Sequence, residues 1–550
     1  MSASRKKNLN KELKEQKLTE RQLYEQKEAK KLKVYTAVFT GVLAVLLVLA
    51  LIFGVGKINT LISNSAFLAR NTVAVTIGEH KLSNAELNYY YVDQINDFKN
   101  QYGNYASMFG LDMSKPLNEQ VTNQETGATW ADDFLNAAIG AAKHNLALAD
   151  AAKAAGYELS EDETASIENN ISTLSFYATL YKYSDAEGYL KAMYGKSASL
   201  KTFREYITTQ TLAASYYNHY GTALSYDDAA LTAEDEANAA HYNAYHYNAY
   251  YMLVSKFYEG GTKDENGTTN YSEDEKAAGA KKAEETAKAL AEGEYASVED
   301  LDKAIAALPI NAESTTASST AYNDTAYNSI NQHIRDWVTD PSRKANDMTY
   351  LPNTSTTIDA DGKETTVVNG YYVVMFHGAE DNSFPLANVR HTLIQPEGGK
   401  YNSTTGKTEY TKEEMAAAKP KAEALLEEFK SGKATSMDFA NMANENSADG
   451  DGTTGGLYED VVPGQMVANF DAWCFEEGRK AGDTGLVESE FGWHIMYYEG
   501  HSETTYREYL IDNALRTAEM DEWYNALLEA TTVTDGNTKY LNKSVVMAVG

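Results

Sequence analysis

At 550 residues the chain is long enough for several domains. Its formal net charge is −31, and an acidic bulk argues against nucleic acid as a partner, because phosphate neutralisation needs clustered cations. The lone cysteine, Cys474, excludes any intrachain disulfide. Flanked by Trp473 and Phe475, it reads as a small buried hydrophobe and not as a nucleophile.

The charge is unevenly spread. Residues 1–34 carry eleven Lys/Arg against five Glu, which leaves the remainder near −37. This segment reads as a basic cytoplasmic arm, a solvated helix or a disordered tail. Residues 35–55 follow with 21 positions free of charge and rich in Val, Leu and Ala. That length spans a hydrocarbon core of about 30 Å as a helix, and the basic flank puts the N-terminus in the cytoplasm. A cleaved signal peptide is the alternative. Its apolar stretch would be unusually long, and no small-x-small site precedes Ser63-Asn64-Ser65-Ala66. No cysteine lies nearby for lipoprotein processing. The expected location is therefore the cell membrane, single-pass, with the bulk of the chain outside. The missing disulfides fit a compartment without dedicated oxidation machinery, as in many Gram-positive bacteria.

Beyond the span, residues 72–78 alternate like a short strand. Ser83 and Glu86 form the pattern of a capping box ahead of an apolar-periodic run. Helical stretches rich in Ala, Leu and Tyr are predicted over 130–155, 161–183, 186–194 and 200–220. Residues 56–236 thus read as a mostly helical module. The 40 tyrosines offer apolar area with a polar tip, as client-binding surfaces do, but ordinary core packing accounts for most of them.

A repeat then begins. Tyr271-Ser272-Glu273-Asp274-Glu275 opens one helix and Tyr410-Thr411-Lys412-Glu413-Glu414 another, at an offset of 139 residues. Each is preceded by a strand, at 249–254 and at 388–394. Each is followed by a short helix, a tryptophan (Trp337, Trp473) and an Arg-Lys-Ala-x-Asp block (Arg343–Asp347, Arg479–Asp483). The copies close on Gly370-Tyr371-Tyr372-Val373 and Gly492-Trp493-His494-Ile495. The unit, strand, long helix, short helix, turn, helix, strand, recurs twice as an α+β pattern. The earlier copy carries a Ser/Thr-rich loop at 314–320 and an inserted hairpin at 357–368 around Asp361-Gly362. After the later copy, residues 506–530 read as amphipathic helix packing back on the helical module.

The later copy resembles a known family. His391 followed by Leu393 on a strand, Ser447-Ala448-Asp449 after a short helix, Gly455-Gly456-Leu457, Gly464-Gln465-Met466 with Phe470, and Phe491-Gly492-Trp493-His494-Ile495 occur in the order of a parvulin-type peptidyl-prolyl cis-trans isomerase. The whole layout is similar to the membrane-anchored extracytoplasmic foldases of Gram-positive bacteria. The fold implied is α+β: a helical chaperone-like module and two tandem parvulin-like units, each a small antiparallel sheet flanked by helices, behind one transmembrane helix. The domains expected are 1–34 arm, 35–55 membrane helix, 56–236 helical module, 237–379 degenerate parvulin-like unit, 380–502 isomerase unit and 503–550 C-terminal helix.

The resemblance implies rotation about X-Pro bonds, with His391, Asp449 and His494 as the catalytic group and Leu457, Met466, Phe470 and Phe491 as the apolar cup. Asp451 is close enough to leave the register of the aspartate open. The reaction needs no cofactor and no metal, and no metal-ligand spacing stands out. The partners implied are unfolded or partly folded exported polypeptides with X-Pro bonds and the membrane, with a homodimer left open. The family's Gly-Gly-Asp-Leu-Gly is here Gly455-Gly456-Leu457-Tyr458, which puts the shape of the cup in question. No Arg/Lys cluster follows His391, so phosphoserine-proline specificity is not expected. In the earlier copy Tyr251 and Tyr372 align with His391 and His494, which predicts a unit inactive in isomerisation. A non-catalytic holdase, in which both units are scaffolds for unfolded chains, is the competing reading.

Overall fold

The computed structural model describes residues 66–358, 362–403, 405–450 and 452–547. The arm at 1–34, the apolar span at 35–55 and Asp451 lie outside the described residues. Among those described, no helix is long and apolar enough to cross a membrane. The chain divides into two compact units, one of residues up to Ser225 together with those from Arg516 on, the other Tyr226–Leu515.

The first unit is mainly helical. Helices run over Asn84–Tyr102, Trp130–Ala154, Glu161–Leu180, Ala186–Tyr194 and Leu200–Ala223. The Ser83–Glu86 capping box is formed, so two orphan N–H donors of the first helix are satisfied reciprocally. Tyr89, Tyr91 and Tyr189 are core residues with under 2 % of their surface exposed. Tyr89 stacks on Tyr206 at 5.2 Å, so these tyrosines serve packing and not client capture. Val73–Ile77 pairs with His80–Ser83 and with the late strand Val533–Asp535. From Arg516 on, the helix Tyr506–Ala530 belongs to this unit. There the Trp523 ring lies flat on Tyr220 at 3.9 Å.

The second unit holds two four-stranded antiparallel sheets with equivalent strand order. From one edge to the other these are Thr320–Ala326, Ala244–Leu253, Glu364–Glu380, Met348–Ile358 and Leu457–Val461, Pro385–Ile394, Gly492–Thr505, Thr484–Ser489. The likeness extends to detail. Both outer strands shift register at one place, between Tyr322 and Thr325 and between Tyr458 and Val461. Asp324 and Asp460 take φ of 48° and 52° there. Arg343 stacks on Trp337 and Arg479 on Trp473. The Thr320–Ala326 strand follows the Ser/Thr-rich loop, and its exposed edge (burial confined to Thr325) leaves no apolar alternation to detect in the sequence. The expected hairpin is present as an outward extension of Met348–Ile358 and Glu364–Glu380, strands paired as far as Ile358 and Glu364.

Each sheet is covered on both faces. In the later copy, the helices Lys412–Ser431 and Ser436–Asn446 pack Leu426, Phe429 and Phe439 on Ile394, Trp493, Ile495 and Tyr497. The opposite face carries Val389, Met496 and Tyr498 under the short helix Ala468–Cys474, with Phe470 and Cys474 buried. Because side chains alternate along a strand, His391 and His494 share this second face. Burial pushes the Cys474 thiol up to about 12, as expected of an inert buried hydrophobe.

The strand register corrects one equivalence. Tyr251 stands directly opposite Tyr372, as Leu393 stands opposite His494. His391 pairs with Met496, and the matching pair in the earlier copy is Ala249 with Val374. Ala249, not Tyr251, therefore occupies the place of His391. The alignment of sequence follows the helices, offset by 139 residues, whereas the strands before them are offset by 142.

Candidate active site

The site is built on the two central strands of the later sheet. His391 and His494 sit diagonally across the ladder, two positions apart in register. Their Nδ1 atoms meet at 3.1 Å. His391 Nε2 lies 3.1 Å from Asp449 Oδ2, and His494 Nε2 lies 2.7 Å from Ser489 Oγ. Phe470 stands edge-on to both rings, with centroids at 5.3 and 5.4 Å. The imidazoles are buried, while Asp449 keeps 42 % of its side chain in solvent.

For a neutral pair this chain has one proton arrangement that satisfies every contact. The Asp449 carboxylate accepts from His391 Nε2–H, which leaves a lone pair on His391 Nδ1. His494 Nδ1–H donates to that lone pair, and His494 Nε2 accepts from the Ser489 hydroxyl. Ser489 Oγ in turn accepts the Phe491 backbone N–H. Burial, reinforced by the His391 ring, lowers the His494 pKa to about 4 against the weaker opposing pull of Asp449. The hydrogen bond from His391 holds Asp449 below the usual carboxylate range, against its own desolvation.

Local sequence explains how the aspartate arrives. Ser447 ends the helix Ser436–Asn446 and its Oγ accepts the N–H groups of Leu393 and Asp449. Ala448 N–H donates to Leu393 C=O, so the loop is tied to the histidine strand beside His391. Its far end returns through Gly455 and Gly456, both at φ near 65°. His391 N–H bonds to Gly456 C=O at 2.9 Å, and a Cβ at Gly456 would run into the His391 carbonyl. Arg390 Nη1 donates to Gly455 C=O at 3.0 Å and its guanidinium pairs with Glu499 behind the sheet.

The expected residues do not all converge. His391, His494, Asp449 and Phe470 come together as anticipated, and Met466 packs half-buried in the same cluster as Phe470. Leu457 does not reach the site face. It pairs with Arg390, and directly opposed residues share a face, so it points with Arg390 toward the helix Ser436–Asn446. Tyr458 takes the position instead, with its ring 5.1 Å from His391 and its hydroxyl 3.1 Å from Asp449 Oδ2. Read without a gap against Gly-Gly-Asp-Leu-Gly, the turn puts Tyr458 at the family's leucine, a signal that was present in the sequence. Phe491 is 38 % exposed at the hairpin turn, with Lys407 over its ring at 5.8 Å. Ser489 went unread because a serine five residues before a histidine acquires meaning only when a tight hairpin folds one onto the other.

Residues 372–499 match the family described as the PPIC-type PPIASE domain. The chain carries a parvulin-type peptidyl-prolyl isomerase domain. No curated protein matches the chain by sequence. Among solved structures, a peptidylprolyl isomerase (PrsA) from Bacillus cereus is 21 % identical over 30 % of this chain and 57 % of its own, with a TM-score of 0.18. The Bacillus anthracis PrsA is 18 % identical over 27 % and 59 %, also at 0.18. The PPIASE domain of TBPAR42 is 25 % identical over 20 % and 98 %, at 0.17. The match thus spans little more than half of either Bacillus protein. The isomerase domain identified here rests on the family match and on its own geometry.

Such a domain must lower a barrier of ∼18–20 kcal/mol set by amide resonance. The residues present can seat a proline ring against Phe470, Met466 and Tyr458. They can also offer a polar wall, Asp449 and the imidazoles, beside an amide that twists and loses conjugation. No proton has to leave the substrate in such a reaction, so what the histidine pair can offer is fixed dipoles and not an acid–base couple.

Proposed function

We propose that this protein is a membrane-anchored foldase that isomerises X-Pro bonds in exported polypeptides at the outer face of the cell membrane. His391, His494 and Asp449 form the polar wall of its site, and Phe470, Met466 and Tyr458 the apolar one. The observation that carries the reading is the bonded His391–His494 pair with Asp449 attached, inside the stretch that matches the isomerase family. Uncatalysed isomerisation takes tens to hundreds of seconds, slow enough to limit folding of a client. The apolar span at 35–55 with its basic flank supports the anchor and the orientation. The shared strand order, register shift and Trp–Arg stack support the reading of 237–379 as a second parvulin-like unit.

A protease-coupled proline-peptide assay on the purified chain tests the enzymatic part, with His391→Ala and Asp449→Ala as controls. A wild-type rate equal to buffer would overturn it. The holdase reading is favoured for the earlier unit alone, where Tyr372 lies 4.7 Å from Tyr251 and Ala249 replaces the imidazole. That unit retains an aromatic face without the polar wall, which suits binding without isomerisation. Aggregation suppression by the chain, undiminished in His391→Ala, is the result expected if this face binds clients.

A further inference from the structure

We propose that Tyr458 is a positioning residue of the isomerase site, one that holds the Asp449 carboxylate on His391 while its ring closes the proline pocket. The proposal rests on the isomerase reading above and goes beyond it in assigning work to a residue that departs from the family's Gly-Gly-Asp-Leu-Gly. Two donors converge on one oxygen: His391 Nε2 and the Tyr458 hydroxyl each lie 3.1 Å from Asp449 Oδ2. Asp449 sits on a loop rich in glycine and is partly solvated, so hydrogen bonds, including one from the Gly450 backbone, set the place of its carboxylate. A leucine at position 458 would supply apolar wall but no donor. The phenol supplies both, and its ring meets His391 at 5.1 Å and Phe470 at 6.5 Å.

The tyrosine is itself held firmly. Tyr458 pairs with Val389, and the strand then breaks register at Asp460, whose N–H is bonded by the Asn388 side chain. The pair of glycines before it fixes the other end. The hydroxyl is therefore delivered from a rigid strand to a carboxylate on a loop. In the earlier copy Tyr322 holds the corresponding position, where its ring stacks flat on Tyr247 at 4.7 Å. Ala249 stands there in place of the histidine, so that tyrosine is part of a stack and serves no imidazole–carboxylate pair. The positioning role belongs to the copy that has something to position.

Tyr458→Phe keeps the ring and removes only the donor, and Tyr458→Leu removes both. With the carboxylate less often on His391, Tyr458→Phe is expected to lower kcat severalfold at unchanged KM, because the hydroxyl acts on Asp449 and not on substrate. Tyr458→Leu is expected to lower kcat and also raise KM. Ring 15N spectra of the histidine-labelled chain supply a readout independent of turnover. The wild type should show His391 as a single Nε2–H tautomer, and Tyr458→Phe a mixture of tautomers. A Tyr458→Phe chain with the wild-type ring spectrum overturns the proposal, as does unchanged kcat in an active enzyme. An inactive wild type whose ring spectrum still responds to Tyr458→Phe would overturn the isomerase reading and leave the positioning role standing.

Discussion

Acidification should act on the site through His494. Its pKa is lowered from 6.5 to about 4 by burial and by the adjoining His391 ring. In the unfolded chain this imidazole takes a proton as pH falls through 6.5, whereas in the folded domain it stays neutral until about 4. The folded pKa is the lower one, so the contribution to stability is complete above 6.5 and is lost as pH falls toward 4. Between pH 7 and pH 5 the difference in proton binding amounts to about 2 kcal/mol, and the full shift to roughly 3 kcal/mol. Asp449, whose pKa is also depressed, adds a loss of the same sign only at lower pH, as its carboxylate protonates. The assay is a pH titration of 13Cε1-labelled histidine in the chain, with the His494 signal assigned by its absence in His494→Gln. The expected result is a His494 resonance unmoved from pH 8 to about 5. A midpoint near 6.5 would refute the argument, since it would mean that neither burial nor the Nδ1–Nδ1 contact constrains the ring.

Other expectations follow from the same geometry. His391→Ala and Asp449→Ala should each lower kcat/KM on the order of tenfold or more in the proline-peptide assay, by removing fixed dipoles at the twisting amide. Gly456→Ala should destabilise the domain by at least about 2 kcal/mol in denaturant melts, since it combines positive φ with a collision at the His391 carbonyl. Arg390→Ala should cost about 3 kcal/mol by leaving the half-buried Glu499 without its cation, with only the Ser436 hydroxyl bonded to it, and should loosen the Asp449 loop through Gly455; the double substitution Arg390→Met, Glu499→Met should recover most of that loss. Cys474, its thiol near 12, should resist thiol reagents in the native chain and react at once on unfolding.

The parts of the fold set by local chemistry were legible in the sequence. Capping boxes at Ser83, Ser272 and Thr411 mark helix starts that the structure reproduces. That His391 and His494 belong to one site is legible only through the family resemblance; their diagonal placement is set by the strand register. What could not be read was whatever depends on pairing between strands. Leu457 and Tyr458 are neighbours in sequence, yet a strand sends them to opposite faces, and only the pairing with Arg390 and Val389 decides which one meets the histidines. Ser489 reaches His494 only once the hairpin at 489–492 has closed.

The same reasoning changes what the earlier copy can be made to do. Its aligned tyrosines, 251 and 372, invite the exchange of both for histidine, but they stand directly opposite one another. Imidazoles placed there would not reproduce the diagonal of His391 and His494. Ala249 is the position two residues back on the same face, buried among Tyr247, Ile334 and Val374. Ala249→His with Tyr372→His should therefore bring two Nδ1 atoms within bonding distance, whereas Tyr251→His with Tyr372→His should not. Ring 15N spectra distinguish the two, because a bonded pair resolves into one donor and one acceptor nitrogen. Ile334 stands where Phe470 does and no aspartate loop is in place, so the restored diagonal should bind and order its rings without gaining isomerase activity. If the Tyr251 variant formed the bonded pair and the Ala249 variant did not, the register equivalence between the two sheets would be wrong.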